Sequence, residues 1–110
     1  SKFLAMGMPL AEVIRASTTN PANEINHPEL GHLTVGAVAD VAVLNLMQGR
    51  FGYVDVRGGR LEGDGRLVCE MTFKDGRVVW DWNGRMGVDY RQLGATYGLG
   101  DADHVVLPEF

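Results

Sequence analysis

Leu67-Val68-Cys69-Glu70-Met71-Thr72-Phe73-Lys74-Asp75-Gly76-Arg77-Val78-Val79-Trp80-Asp81-Trp82 is the stretch on which the fold turns. Leu67, Cys69, Met71 and Phe73 alternate with Glu70, Thr72 and Lys74, the period of a strand with one face apolar and the other wet. Asp75-Gly76 then interrupts the alternation. That dipeptide favours the positive backbone angles of a type I′ turn, and Val78 to Trp82 resumes in β-branched and aromatic residues, so the segment predicts a β-hairpin.

Upstream, Val41-Ala42-Val43-Leu44-Asn45-Leu46 is an apolar run of strand length. Such runs mark strands covered on both faces, which predicts a central strand. Phe51–Arg57 alternates loosely, Gly58-Gly59 breaks it, and Leu61 to Gly65 reads as a polar, glycine-punctuated loop. Nearer the N-terminus the spacing becomes helical. Prolines divide that region into predicted helices at Ser1–Met6, Pro9–Ser17 and Pro21–Ile25, because proline is accepted in a first helical turn and rejected inside one. Leu10, Val13, Ile14 and Ser17 share one face of the second helix. Asn20 before Pro21 reads as the N-cap of the third, a structural explanation for a residue that could otherwise be taken for a ligand. Gly31 to Gly36 leads from helix to sheet. Beyond Asn83-Gly84 the periodicity fades, with a short final strand expected only at Val105-Val106-Leu107 before Pro108. The expected class is α+β, mainly β with N-terminal helices: a helical segment over 1–30, a β segment over 31–84 and an irregular tail over 85–110.

The chain has 110 residues, enough for one domain with a modest core. Its net charge of -4, with Lys and Arg scattered along the sequence, lacks the basic footprint of a nucleic-acid or anionic-membrane partner. A lone cysteine, Cys69, cannot form an internal disulfide. With no signal-peptide pattern and no apolar run of membrane-spanning length, the expected compartment is the cytoplasm.

Individual candidates for chemistry all have a plainer reading. His27 and His32 flank a Pro-Glu-Leu-Gly loop and, with Glu24 or Glu29, would supply metal-ligand atom types at no recognised spacing; incidental loop histidines are the preferred reading. Asp40, ahead of the strand at Val41, is read as a carboxylate that accepts backbone N–H groups and fixes a turn. Trp80 and Trp82 share a strand face, either for packing or as an aromatic platform, and their exposure separates the two. Asp64, Asp75, Asp81, Asp101 and Asp103 are spread over turns rather than paired. Gly58-Gly59 and Gly63-Asp64-Gly65 lack the strand-before, helix-after setting of a phosphate loop. Cys69 has no basic neighbour in sequence to activate it.

Three stretches in order carry a family likeness: Met8-Pro9-Leu10-Ala11-Glu12-Val13-Ile14-Arg15-Ala16, Thr18-Thr19-Asn20-Pro21-Ala22, and Gly31-His32-Leu33-Thr34-Val35-Gly36-Ala37-Val38-Ala39-Asp40-Val41-Ala42-Val43-Leu44. They resemble the C-terminal end of an amidohydrolase-superfamily metallohydrolase. Phe51-Gly52-Tyr53-Val54-Asp55 and Leu67 through Gly84 resemble its deacetylase and dihydroorotase-like branch. The resemblance implies that residues 1–25 correspond to the last helices of a (β/α)₈ barrel, and about 33–83 to the C-terminal share of a small β-sandwich. It also implies a parent that hydrolyses carbon–nitrogen or related acyl bonds with zinc or another divalent metal. The ligands of that family, a His-x-His pair, a carboxylated Lys, two further His and an Asp, have no counterpart here: no His-x-His occurs, and Lys2 and Lys74 lie outside any ligand cluster. No catalytic, cofactor-binding or metal-binding residue is therefore assigned to this chain. The alternative is a self-standing β-rich oligomerisation or interaction module of the same descent. Either way the expected state in isolation is a homo-oligomer, a dimer in the simplest case, because a helix face and sheet edges are left without partners.

Overall fold

The structure, a computed structural model, describes residues 1–99. Three short helices come first, α1 (Lys2–Ala5), α2 (Leu10–Ser17) and α3 (Thr19–Glu24), followed by β1 (Val41–Val54), β2 (Arg60–Lys74) and β3 (Arg77–Asp81). A single turn of 3₁₀ helix at Tyr90–Gln92 interrupts the segment after β3. The strands form one antiparallel sheet in the order β1-β2-β3, so the molecule is α+β, as the sequence predicts. The expected strand at Val105–Leu107, and Asp101 and Asp103, lie outside the described residues.

The Asp75-Gly76 turn forms as expected. Asp75 has φ 50° and Gly76 φ 77°, the two positive angles of a type I′ turn, and Lys74 pairs directly with Arg77 across it.

Two features of the sheet differ from the expectation. The central strand is β2, and the apolar run at Val41 begins an edge strand whose residues 42–50 are all exposed. An uncharged run shows that no charge needs to be kept wet, and it does not reveal whether anything covers the strand. The polar, glycine-punctuated stretch from Leu61 to Gly65 is not a loop either. It is the first third of β2, paired with Gln48–Tyr53 of β1. The turn between the strands is Asp55–Gly59, closed by the Asp55 N–H donating to Gly59 O at 2.9 Å, with Asp55 Oδ1 accepting from Arg57 N and Gly59 N at 2.8 Å each.

Glycine enters β2 because α1 and β1 come close to it. A Cβ at Gly63 would stand 2.8 Å from the Ala5 Cβ, and one at Gly65 would stand 3.2 Å from Leu46 Cδ1. Glycine inside a strand commonly marks such an approach. The Leu67 N–H donates to Ser1 Oγ at 2.9 Å, which ties the start of α1 to the same strand.

A bulge alters the alternation that opened the reading. Val43 pairs with Met71 but Leu44 pairs with Cys69, so Glu70 is an extra residue. One inserted residue exchanges the faces of everything beyond it. Leu67 and Cys69 therefore face one side with Leu46 and Leu44, whereas Met71 and Phe73 face the other with Val43 and Val41. The four do not share a face.

The helices are displaced by a residue or two from their expected bounds. Pro9 is the N-cap of α2 and not its first residue; its carbonyl accepts from Glu12 N and Val13 N at 3.0 Å each. Asn20 is not a cap: α3 begins at Thr19, so Asn20 and Pro21 fall inside its first turn, where a proline N–H is not needed. Thr18 joins the two helices, with its hydroxyl donating to Ile14 O at 2.7 Å.

The core is small. Val13, Ala22 and Met71 are the buried hydrophobic residues among those described, while Leu10 and Ile14 on the same face as Val13 stay exposed. The radius of gyration is 19.3 Å, against about 13 Å for a compact chain of this length. The chain is thus less compact than the single domain with a modest core expected from its length.

Candidate functional site

The most enclosed polar group is the one the bulge creates. Glu70 is 5% exposed, although simple alternation would place it on the wet face. Its Oε1 accepts from Arg85 Nε at 2.6 Å and Asn83 Nδ2 at 2.7 Å, and its carbonyl accepts from Trp82 N at 3.0 Å. Asp81 completes the cluster by accepting from Arg85 N at 3.0 Å and Met86 N at 2.9 Å. The donors from Asn83 and Arg85 hold the Glu70 carboxyl below its ordinary range, and Glu70 in turn raises the Arg85 guanidinium. Asp81 is lowered by the backbone N–H groups of Met86 and Arg85. Chemically this is a clasp. A nearly buried carboxylate held by two donors on one oxygen is a poor general acid or base, and it fastens the segment after β3 to the central strand.

Sequence alone did not single out Glu70. The readable signal was an Asn-Gly turn followed by Arg, thirteen to fifteen residues beyond a strand glutamate; the bulge that turns Glu70 inward is invisible before pairing is known.

A shallow recess of about 340 Å³ lies between α1 and the β1–β2 turn, bordered by Lys2, Tyr53, Asp55 and Arg60. Its polar groups already have partners. Asp55 is lowered by the Arg57 and Gly59 N–H groups, Arg60 Nη1 donates to Glu62 at 3.1 Å, and Lys2 Nζ reaches Val54 O at 3.5 Å. Arg50 and Arg60 together hold Glu62 below its ordinary range. On this hairpin the Arg66 guanidinium stacks on Phe51 and Tyr53, 4.8 and 5.5 Å from the ring centres.

The residues weighed from sequence fall as follows. His27 Nδ1 lies 2.7 Å from Glu29 Oε1, a bond that lowers the Glu29 carboxyl, while His32 Nδ1 accepts from its near neighbour Thr34 N at 3.4 Å. Each histidine serves its own loop, and among the described residues no group of three or more His, Cys, Asp or Glu is placed to hold a metal ion. Asp40 fixes a turn, and the turn is the distant one. It accepts from Asp75 N at 2.9 Å and from Lys74 Nζ at 2.9 and 3.1 Å, contacts that lower Asp40 and raise Lys74. Trp80 and Trp82 are 51% and 50% exposed, so neither is packed in a core among the described residues. Cys69 is half-buried, with Sγ 3.2 Å from Thr72 Oγ1.

No family model matches the chain, and no curated protein sequence matches it. Among the described residues no helix is long and apolar enough to cross a membrane.

Proposed function

We propose that this chain is the C-terminal part of a metal-dependent amidohydrolase, and that it supplies scaffold to a parent hydrolase acting on carbon–nitrogen or related acyl bonds. The observation that carries the reading is the contrast between well-formed elements and a nearly absent core. Strands β1 and β2 pair over most of their length, yet three hydrophobic residues are buried among those described. A single-layer sheet needs a second layer to bury its apolar face. On the ordered likeness over Met8–Ala16, Thr18–Ala22 and Gly31–Leu44, we assign that layer to the rest of a small sandwich, and the face of Leu10, Val13 and Ile14 to the outside of a barrel. Zinc or another divalent metal belongs in the parent, where it activates water and polarises the scissile carbonyl, on ligands outside this chain. The compartment that fits a lone free Cys69 is the cytoplasm.

The test is to assay two proteins: the 110-residue chain, and the same chain joined to whatever coding sequence precedes it in its native gene. The longer protein is expected to hydrolyse N-acetyl amino acids, cyclic ureides or acyl esters with a chelator-sensitive, zinc-restored rate, and the short chain is expected to be inactive. Saturable zinc-dependent turnover by the short chain overturns the scaffold reading. A native gene with no metal-ligand barrel upstream overturns the origin.

A second reading, a self-standing β-rich oligomerisation module, is favoured by one specific observation: the exposed β1 edge carries no charge over Val41–Gly49.

A further inference from the structure

The two edges of the sheet are unlike. Strand β3 is five residues long and bears Arg77 and Asp81 at its ends, the brevity and charge by which natural sheets discourage edge pairing. Strand β1 is fourteen residues long, and its first nine, Val41–Gly49, contain neither a charged residue nor a proline. Along it Val43, Leu44, Leu46 and Met47 are 36–42% exposed, and among the described residues nothing pairs with its outer side. We propose that this edge pairs with β1 of a second copy of the chain, antiparallel about a two-fold axis at Asn45, giving a continuous six-stranded sheet.

Geometry restricts the register. The N–H and C=O groups of an edge strand point outward at alternate residues, so a symmetric antiparallel pair must be centred on a residue rather than between two. Centred on Leu44, Asn45 would oppose Val43 and Asp40 would oppose Gln48; centred on Leu46, Arg50 would oppose Ala42. Centred on Asn45, Leu44 opposes Leu46 and Val43 opposes Met47, so the central apolar residues meet apolar ones, while Ala42 meets Gln48 and the ladder ends before the irregularity at Gln48–Phe51. Asn45 opposes its own counterpart, and an amide can both donate to and accept from a second amide.

The chain exposes 9045 Å², whereas a compact monomer of its mass exposes about 6,000 Å², so surface is left over for a partner to cover. A closed two-fold pair uses one patch twice and leaves no further β1 edge to propagate. The proposal stands on this edge alone and is independent of the amidohydrolase reading.

Light scattering coupled to size exclusion on the 110-residue chain, diluted through the low micromolar range, is expected to give twice 12.0 kDa. Asn45→Lys places two like charges at the axis and is expected to weaken dimerisation by at least about tenfold without changing the far-ultraviolet spectrum. In a Cys69→Ser background, Asn45→Cys chains are expected to cross-link to one another on mild oxidation, since paired strands hold such positions within disulfide reach, and Val79→Cys chains on the other edge are expected not to. A folded monomer at low micromolar concentration overturns the proposal, including one that assembles only when upstream sequence is supplied. A dimer that Asn45→Lys leaves intact and Asn45→Cys fails to cross-link overturns the assignment to β1.

Discussion

At the residue scale, Asp75-Gly76 and Glu70 mark the two ends of what a sequence reveals. The turn was legible because its requirement is local: two adjacent positive φ angles, which glycine adopts freely and a β-branched residue resists. Gly76→Val at φ 77° is therefore expected to lose roughly 1–2 kcal/mol or more, read as a lowered thermal midpoint. An unchanged midpoint would remove the turn assignment. Glu70 was illegible because its burial depends on the bulge and on Asn83 and Arg85, which alternation cannot anticipate. The clasp makes a prediction about pH. Asn83 and Arg85 lower the Glu70 carboxyl from its ordinary 4.5, so on acidification the unfolded chain takes up this proton before the folded chain does. The stabilisation is complete above about pH 4.5 and is lost as pH falls through the lowered folded value. Asp40 and Asp81 are lowered too and add to the same acid slope, so the informative quantity is a difference between two proteins. Glu70→Gln is expected to be less stable at neutral pH and to show a shallower acid loss in tryptophan-monitored unfolding, whereas parallel pH profiles for the two would show that the clasp contributes nothing.

At the scale of elements, strand and helix types were more legible than their lengths or neighbours. The run at Val41 was correctly a strand, yet it continues to Val54 and forms an edge, because hydrophobicity records what a strand tolerates and not what lies beside it. Glycines at 63 and 65 looked like loop formers, since close approach and conformational freedom select the same residue. Contact geometry separates these meanings. Gly63→Ala brings a Cβ to within 2.8 Å of the Ala5 Cβ, so α1 must shift, at a cost of about 1–3 kcal/mol for overpacking. Amide exchange in Lys2–Ala5 and at the Leu67 N–H, which donates to Ser1 Oγ, is expected to accelerate in this variant. Adding Ala5→Gly removes the opposing methyl and is expected to restore the slow exchange at Leu67. Failure of that rescue would place the cost outside the helix contact, first at the Tyr53 ring, whose Cε2 would stand 3.2 Å from the same Cβ.

For the whole molecule, the sequence showed which stretches were apolar and left open what covers them, since nothing in a strand's own residues names the atoms that lie against it. One experiment on the intact chain measures this dependence through its thermodynamics. A chain that buried its own core would unfold at a midpoint independent of concentration. This one buries Val13, Ala22 and Met71, and leaves Leu44, Leu46 and Met47 exposed on a strand whose outer edge lacks a partner among the described residues. If a second copy covers that strand as proposed, the apolar surface buried on association adds stability at roughly 25 cal/mol per Å². If folding and pairing are one step, each tenfold dilution lowers the stability of the dimer by about 1.4 kcal/mol through mass action alone. The thermal midpoint is accordingly expected to fall steadily as the chain is diluted from about 100 µM to 1 µM. Asn45→Lys is expected to lower the midpoint by a similar amount throughout that range, because a one-step dimer loses the same pairing free energy at every concentration. A midpoint that stays fixed over two decades of concentration would mean that the described residues are stable without a covering partner, and it would remove the thermodynamic reason for assigning β1 to a second copy.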